Sequence, residues 1–381
     1  MVTRTTPATD PAGATALAKT ATSPGPSVDA PAVPKLGRTA AASAAATPTR
    51  RSGAFATPRD RRRWWLIYLA VTAAALVFAA GLLAWKNPME LGSRGFWLIA
   101  ERRLDALIAM IIVAVCQAMA TVAFQTATSN RIITPSIMGF ESLYRAIHTA
   151  TVFFFGVAGL NSTRTVPMFV LQLALMVGLS LLLYSWLLTG GSQNLYSMLL
   201  IGIVIGSGLG SLTTFMQRML TPSEFDVLSA RLFGSVTNAD PDYYPVAIPL
   251  VVVATALLFL FSHRLNVLSL GREAATSLGL NHTRMTMGVL VLVSVLMATS
   301  TALVGPMTFL GFLVATLSYQ LSGTYDHRYL FPMAVSLGVL VLTAAYFVMK
   351  HVFYAQGVVS IIIELVGGSV FLIVILRKGR L

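Results

Sequence analysis

The sequence contains a single cysteine, Cys116, which excludes an intrachain disulfide and a cysteine-based metal cluster. None of its lysines follows a glycine, so it lacks the Gly-Lys-Ser/Thr loop with which P-loop enzymes hold nucleotide phosphates. Its five histidines show neither the HExxH spacing nor the neighbouring acids of a zinc site. We therefore expect no enzymatic activity, no cofactor and no bound metal, and any energy input must come from a partner or a gradient.

Charged residues are also scarce. They make up 11% of the chain against 56% hydrophobic residues, and the mean hydropathy is +0.75. This composition is typical of a polytopic membrane protein. The net charge of +13 does not indicate nucleic acid as a partner, because ten of the 27 basic residues lie in the first 63 positions and the rest are scattered between apolar runs.

Two domains are predicted. Residues 1–60 are rich in Ala, Thr, Pro and Ser without a sustained apolar period, which predicts a disordered cytoplasmic tail. Residues 61–381 form the transmembrane domain, which we expect to be all-α. A basic cluster, Arg59 and Arg61 to Arg63, precedes Trp64 and the first apolar run, and this order places the N-terminus in the cytoplasm.

We count ten apolar runs long enough to cross or enter a bilayer, and an even number puts the C-terminus in the cytoplasm too. The run that begins with Gly305-Pro306 is short, which predicts a partial or tilted helix. The runs cover residues 64–85, 104–126, 137–158, 166–188, 195–217, 245–263, 285–304, 306–321, 329–349 and 357–376.

Two polar segments between these runs have helical patterns. Residues 264–284, RLNVLSLGREAATSLGLNHTR, predict a short cytoplasmic helix that starts after Gly271 and ends at Gly279. Such a helix either meets another protein or rests on lipid headgroups. Residues 221–245 predict a short external helix with Ser223 as N-cap, which shapes an outer vestibule, docks a partner or only joins two spans.

Polar side chains also occur inside the apolar runs. Gln117, Thr121 and Gln125 are four residues apart and share one helical face, which indicates a polar pathway or hydrogen bonds between helices. Glu141 and Arg145 are spaced to form an ion pair within one helix. Glu364 must be paired, protonated or on a water-filled path, because an isolated membrane carboxylate is costly.

Several motifs together resemble the FecCD-type iron-chelate uptake permeases. The segment Phe124 to Tyr144, FQTATSNRIITPSIMGFESLY, is similar to the signature after the second span of that family. LSLGREAATSLGLN is similar to its cytoplasmic coupling segment, and the later GP, DHR and Pro332 elements follow in the family's order.

The resemblance implies a permease subunit of an ABC importer for ferric siderophores, with a cobalamin-permease-like fold in the cell membrane. It implies partners as well: ABC ATPase subunits, a second permease that is a paralogue or an identical copy, an extracytoplasmic substrate-binding protein and membrane lipid. The ATPase-coupling residues that it implies are Leu270, Gly271, Arg272, Glu273, Ala274, Ala275, Leu278 and Gly279.

The resemblance also implies a docking site for the binding protein at Arg102 and Arg103, although the proline and first arginine of the family's R-x-PR pattern are absent here. Candidates for the translocation path are Gln117, Thr121 and Gln125, with a helix whose glycines at 202, 206 and 210 permit close packing.

The alternative function is a gradient-driven secondary transporter in which Asp105, Glu141 or Glu364 carries protons. It predicts a chain that works without an ATPase and without a functional role for residues 264–284.

Overall fold

The structure is a computed structural model that describes residues 53–85, 92–162, 164–189, 195–236, 239–353 and 359–378. Within these ranges the chain forms α-helices and short 3-10 turns, and no strand occurs there. Most of the predicted tail, residues 1–52, lies outside the described residues, and the first helix begins at Pro58.

Thirteen α-helices follow one another in the described residues. They are α1 Pro58–Ala84, α2 Arg94–Ala127, α3 Phe140–Ser162, α4 Val166–Thr189, α5 Leu195–Arg218, α6 Pro222–Leu232, α7 Tyr244–Leu260, α8 Ser262–Leu268, α9 Arg272–Ser277, α10 His282–Val304, α11 Leu310–Ser322, α12 His327–His351 and α13 Val359–Lys378.

Ten of these helices correspond to the ten predicted apolar runs, and α6, α8 and α9 lie in the connections between them. Among the described residues, six helices are long and apolar enough to cross a membrane by length and composition, namely α1, α2, α5, α7 with its preceding turn, α10 and α12. Shorter apolar stretches occur in α4, α11 and α13. The all-α polytopic architecture is therefore confirmed.

The core of the bundle is built around α2 and α10. In their most apolar windows 83% of α2 and 72% of α10 are buried, against 11% of α1. Small residues such as Ala114 and Gly338 allow α2 and α12 to pack closely. Helix α2 begins at Arg94, ten residues before the predicted apolar run, because Ser93 caps it there. The charged residues 101–103 separate the apolar first turns of α2 from that run in the sequence.

The glycine face of α5 makes a close contact inside the chain. Gly139 has a φ of 90° and precedes α3, and its backbone lies against Gly202 and Gly206 of α5. A Cβ on Gly206 would be 3.4 Å from the Gly139 Cα atom. The start of α3 therefore lies beside the middle of α5, well within the bundle.

The predicted short helix after Gly305-Pro306 is confirmed. Helix α11 has 13 residues and a length of about 20 Å, which is less than the thickness of a bilayer core. The break before it is packed within protein, because the Ser235 amide donates to the Val304 carbonyl over 2.8 Å and Gly234 leaves no room for a Cβ beside Pro306.

The connections define two faces of the bundle, which lie at opposite ends of α7. We call them the α9 face, with α8 and α9, and the α6 face, with α6. Helix α6 confirms the short helix predicted in residues 221–245, but its N-cap is Thr221 and not Ser223. Pro222 occupies the first helical position, and Thr221 and Glu224 form a capping box.

Candidate functional site

The segment between α7 and α10 is held in shape by two glycines. Gly271 precedes α9 with φ 93° and ψ 171°, a conformation that is nearly restricted to glycine. After α9, Gly279 has a φ of 82°, its amide donates to the Thr276 carbonyl and the Leu280 amide donates to the Ala275 carbonyl. This pair of bonds is a Schellman motif, which ends α9 where the sequence predicted.

Helix α9 is exposed on nearly all sides. In the helix only Ala275 is buried, and it packs onto the underlying bundle. Leu270 and Leu278, at either end of α9, are 60% and 65% exposed. The eight residues predicted for coupling therefore lie in one short segment, residues 270–279. Apart from Ala275 they lie at the surface of the α9 face, and Leu270 and Leu278 are open to a partner.

The base of this segment is tied to two other helices through Asn266 of α8. The Asn266 Oδ1 atom accepts from the His327 backbone amide at 3.0 Å and lies 2.6 Å from His327 Nδ1. Its Nδ2 donates to Asp326 Oδ1 at 3.0 Å, and His327 Nε2 lies 2.7 Å from Thr126 Oγ1 at the end of α2. Because an amide oxygen only accepts, His327 Nδ1 carries hydrogen.

Asp326 completes this network at the start of α12. It caps the helix through the Arg328 amide and forms an ion pair with the Arg328 guanidinium over 2.7 Å. Burial acts to raise the pKa of the Asp326 carboxyl, but hydrogen bonds from Arg328 and Asn266 outweigh it and lower the pKa to about 2. The carboxylate therefore stays charged at neutral pH.

A cavity of about 720 Å³ lies beside this network on the α9 face. Gly53 and Ala54 line one side of it and Leu270 lines another. The Thr324 hydroxyl donates to the Ala54 carbonyl at 2.6 Å, and Phe55 packs edge-on against Tyr329 with ring centroids 4.8 Å apart. The segment that precedes α1 is thus attached to the bundle close to α9.

The three candidates for the translocation path all lie in the interior of this chain. Gln117 Nε2 donates to Ser300 of α10 at 3.1 Å, and Thr121 packs against Gly311 of α11. Gln125 donates to the Arg131 carbonyl at 2.7 Å and lines the cavity on the α9 face. This placement favours hydrogen bonding between helices for Gln117, which was the alternative interpretation of the spacing, whereas the buried Thr121 hydroxyl packs against α11 without a hydrogen-bond partner among the described residues.

The two candidates for docking the binding protein have different surroundings. Arg102 is exposed near the α6 end of α2. The Arg103 guanidinium donates to the carbonyls of Leu82, Leu83 and Trp85 at 3.1–3.2 Å, and so it caps the C-terminus of α1.

A second cavity of about 840 Å³ is bounded by α3, α5 and α6. Glu141 and Arg145 line it, but they form no ion pair within 4 Å, so the predicted pairing is wrong. Instead, Glu141 accepts a hydrogen bond from Thr308, which is 167 residues away in sequence, at 2.9 Å. In the described residues no group of three His, Cys, Asp or Glu side chains could hold a metal ion.

Sequence reasoning missed Asn266, Thr308 and Arg218. Asn266 lies in the polar segment 264–284, but its partners Asp326 and His327 are 60 and 61 residues away. Arg218 ends α5 and lines the second cavity together with Arg145. A helical pattern cannot predict such contacts, because they depend on which helices pack together.

The FecCD transport family matches residues 63–377, which is nearly all of the helical part of the chain. The chain belongs to this family. It is 53% identical over 333 residues to the petrobactin import system permease protein FatC of Bacillus anthracis, covering 87% of this chain and 94% of FatC. It is 36% identical to the petrobactin import system permease protein YclO of Bacillus subtilis, covering 76% of this chain and 92% of YclO.

The fold agrees with that of a solved structure titled as an inward-facing conformation of a protein assigned to the metal-chelate type of ABC transporter. The TM-score is 0.70 at 20% identity, covering 82% of this chain and 99% of the other. This FecCD chain is therefore a multi-pass membrane protein and the permease subunit of an iron-chelate ABC importer. It is a transport subunit and not an enzyme.

Proposed function

We propose that this chain and a second permease form the membrane path of an importer for a ferric siderophore of the petrobactin class. The substrate is proposed from the two petrobactin permeases to which the chain is 53% and 36% identical. The second subunit is a paralogue or an identical copy. ATP is hydrolysed by separate ATPase subunits, and the chelate passes between the permeases without being changed chemically.

The observation that carries the proposal is the exposed helix α9 on a rigid base. Its side chains project from the bundle except for Ala275, and Leu270 and Leu278 offer apolar surface to a partner. Beneath it, Asn266 joins α8 to α12, and His327 continues the connection to α2. A movement of α9 driven by an ATPase would therefore be transmitted to α12 and to α2, and α2 lies at the core of the bundle.

The α9 face is the cytoplasmic face in this proposal. Arg59, Arg61, Arg62 and Arg63 are exposed at the start of α1, on the same face as α9, and Trp65 is an exposed interfacial aromatic beside them. An even number of crossings returns the C-terminus to this face. The N- and C-termini are then both cytoplasmic.

The α6 face is the outer face and receives the chelate from a substrate-binding protein. Arg102 is exposed there and is suited to contact acidic groups of that protein. Arg103 contributes by holding the end of α1 and not by direct docking, because its guanidinium donates to three carbonyls of that end. On α5, the proposed path includes Gly210, which lines the cavity between α3, α5 and α6, whereas Gly202 and Gly206 pack against Gly139 inside the chain.

The test is uptake of radiolabelled ferric petrobactin by cells that carry wild type, Gly271→Pro or Ala275→Glu. Proline cannot adopt the φ of 93° at Gly271, and a glutamate at 275 would bury a charge beneath α9. We expect both variants to reach the membrane, to lose uptake and to lose co-purification of the ATPase. Ala56→Glu, at an exposed position before α1, is the matched control and retains uptake.

The outcome that contradicts the proposal is normal uptake in both α9 variants together with collapse of uptake under a protonophore at constant ATP. That result would favour the gradient-driven transporter. A third outcome is iron uptake that depends on α9 but does not decrease when excess ferric petrobactin is added. It would support the ABC importer function and contradict petrobactin as the substrate class.

A further inference from the structure

Two arginines line the cavity between α3, α5 and α6. Arg145 and Arg218 both line it, both are exposed, and neither makes a hydrogen bond or an ion pair there. The cavity has a volume of about 840 Å³, which is enough for a bulky organic ligand.

Arg145 lies within the membrane-spanning bundle. It is five residues after the start of α3, where the backbone of Gly139 packs against Gly206 in the middle of α5. A charged side chain at such depth is costly unless it faces water, a counter-ion or a ligand. Because it faces an open cavity, the position indicates a functional role.

The neighbouring acids do not occupy its guanidinium. Glu141 directs one carboxylate oxygen to the Thr308 hydroxyl at 2.9 Å, and its other oxygen is buried without a partner. Glu364 of α13 is near enough to act electrostatically on both Glu141 and Arg145, but no ion pair forms within 4 Å in the described residues. Arg145 thus keeps its hydrogen-bond donors free.

Two of the hydroxyl groups around the cavity already donate their hydrogens within α5. Ser211 donates to the Ser207 carbonyl at 3.0 Å, and Thr214 donates to the Gly210 carbonyl at 2.9 Å. Their single hydrogens are therefore used within α5, and they offer only acceptor oxygens to a ligand. Among the lining residues, Arg145 and Arg218 are the positively charged donors for an anionic group.

We infer that this cavity is a binding station on the path, in which Arg145 contacts an anionic oxygen of the iron chelate and Arg218 attracts the chelate at the α6 end. The inference rests on the proposed function and adds the ligand class, an iron chelate with carboxylate or catecholate oxygens. A guanidinium suits such oxygens because it stays positively charged and donates charge-assisted hydrogen bonds, which a lysine ammonium at the same position can partly supply.

The test compares Arg145→Gln, which removes the charge, with Arg145→Lys, which keeps it. We expect the maximal rate of ferric petrobactin uptake to fall about tenfold in Arg145→Gln, as expected for a lost hydrogen bond to a charged group. Arg145→Lys retains most of the rate. Membrane expression and basal ATPase activity of the purified permease–ATPase complex stay at wild-type levels, and Arg62→Gln, an exposed arginine outside the cavity, transports normally.

Wild-type uptake in Arg145→Gln would overturn the inference, and so would equal losses in the Gln and Lys variants, because charge would then not be what matters. Running Ala275→Glu in parallel separates the two proposals. If that variant loses uptake while Arg145→Gln does not, the importer function stands and the binding station falls.

Discussion

Two polar clusters in this bundle differ in how completely their hydrogen-bonding atoms are used. On the α9 face, Asn266, Asp326 and His327 are joined by bonds of 2.6–3.0 Å, and each side chain has a partner. In the cavity beside α5, Arg145 makes no hydrogen bond or ion pair within 4 Å among the described residues, although the charges of Glu141 and Glu364 act on it, and Glu141 has only one of its two oxygens bonded. The first cluster fixes the positions of helices, whereas the second is left open for a ligand.

The largest effect on stability is expected from breaking the hydrogen-bonded cluster of Asn266, Asp326 and His327 on the α9 face. Asn266→Leu keeps the branched shape and the number of heavy atoms of the side chain but removes the acceptor for the His327 ring and amide. Leaving buried polar groups unpaired should lower the free energy of unfolding by about 3 kcal/mol. Thermal unfolding of the purified chain in detergent measures this loss.

Ser269→Ala is the control for that experiment. Ser269 is exposed three residues after Asn266, and its hydroxyl makes one exposed hydrogen bond to the Asn266 carbonyl at 2.7 Å, so its replacement should lower the free energy of unfolding by only about 0.5–1 kcal/mol. If Asn266→Leu and Ser269→Ala unfold at the same temperature, the network on the α9 face does not stabilise the bundle.

A smaller effect is expected at the joint before α9. Gly271→Ala meets no atom within 4 Å, but the φ of 93° strains any residue with a Cβ. The strain should cost about 1–3 kcal/mol and lower the amount of chelate transported per ATP hydrolysed. Gly288→Ala in α10 has equally open surroundings without a positive φ, and it should leave coupling unchanged. Equal behaviour of the two variants would show that the backbone conformation at Gly271 is not required.

The cap of α6 should contribute about 1 kcal/mol without affecting either cluster. Thr221→Ala removes the capping box, and Thr221→Ser preserves it. Hydrogen exchange in α6 should quicken only in the alanine variant. Hydrogen bonds from Thr221 lower the pKa of Glu224. The stabilisation of α6 by the capping box is therefore fully present above the ordinary glutamate pKa, and it is lost as pH falls through the lowered value. Exchange in wild type that does not change on acidification would contradict the assignment.

The smallest effect on stability is expected for Arg145 in the cavity beside α5, where a substitution should stabilise the protein and not destabilise it. Arg145→Gln removes an unpaired charge from the membrane, so the melting temperature should stay the same or rise. A clear fall would mean that Arg145 supports the bundle, and the contrast between the two clusters would then disappear. The same thermal unfolding assay decides the matter.

The sequence predicted the helices well, because length and hydropathy are local properties. All ten apolar runs became helices, and Gly271 and Gly279 delimit α9 as their conformational freedom suggested. The predictions were wrong where a contact with a distant segment of the chain determines the local structure. Glu141 bonds Thr308 and not the nearby Arg145. Helix α2 begins at Arg94, before the predicted run, because the charged residues 101–103 interrupt the apolar pattern without ending the helix.

The candidate site was predicted in part for the same reason. The coupling segment is a continuous stretch of chain, and its pattern can be read from one sequence. The partners of Asn266 and the joint lining of a cavity by Arg145 and Arg218 depend on packing between distant segments. The residue pattern within one segment does not predict these contacts between distant segments.

The burial of Cys116 makes this chain convenient for spectroscopic labelling. Its thiol is fully enclosed in α2, so a thiol-reactive dye should not reach it in the folded protein. A cysteine introduced at exposed Gly53 would then take up the dye alone, on the rim of the same cavity as Leu270. Changes in its fluorescence during turnover would report motion next to α9 in real time.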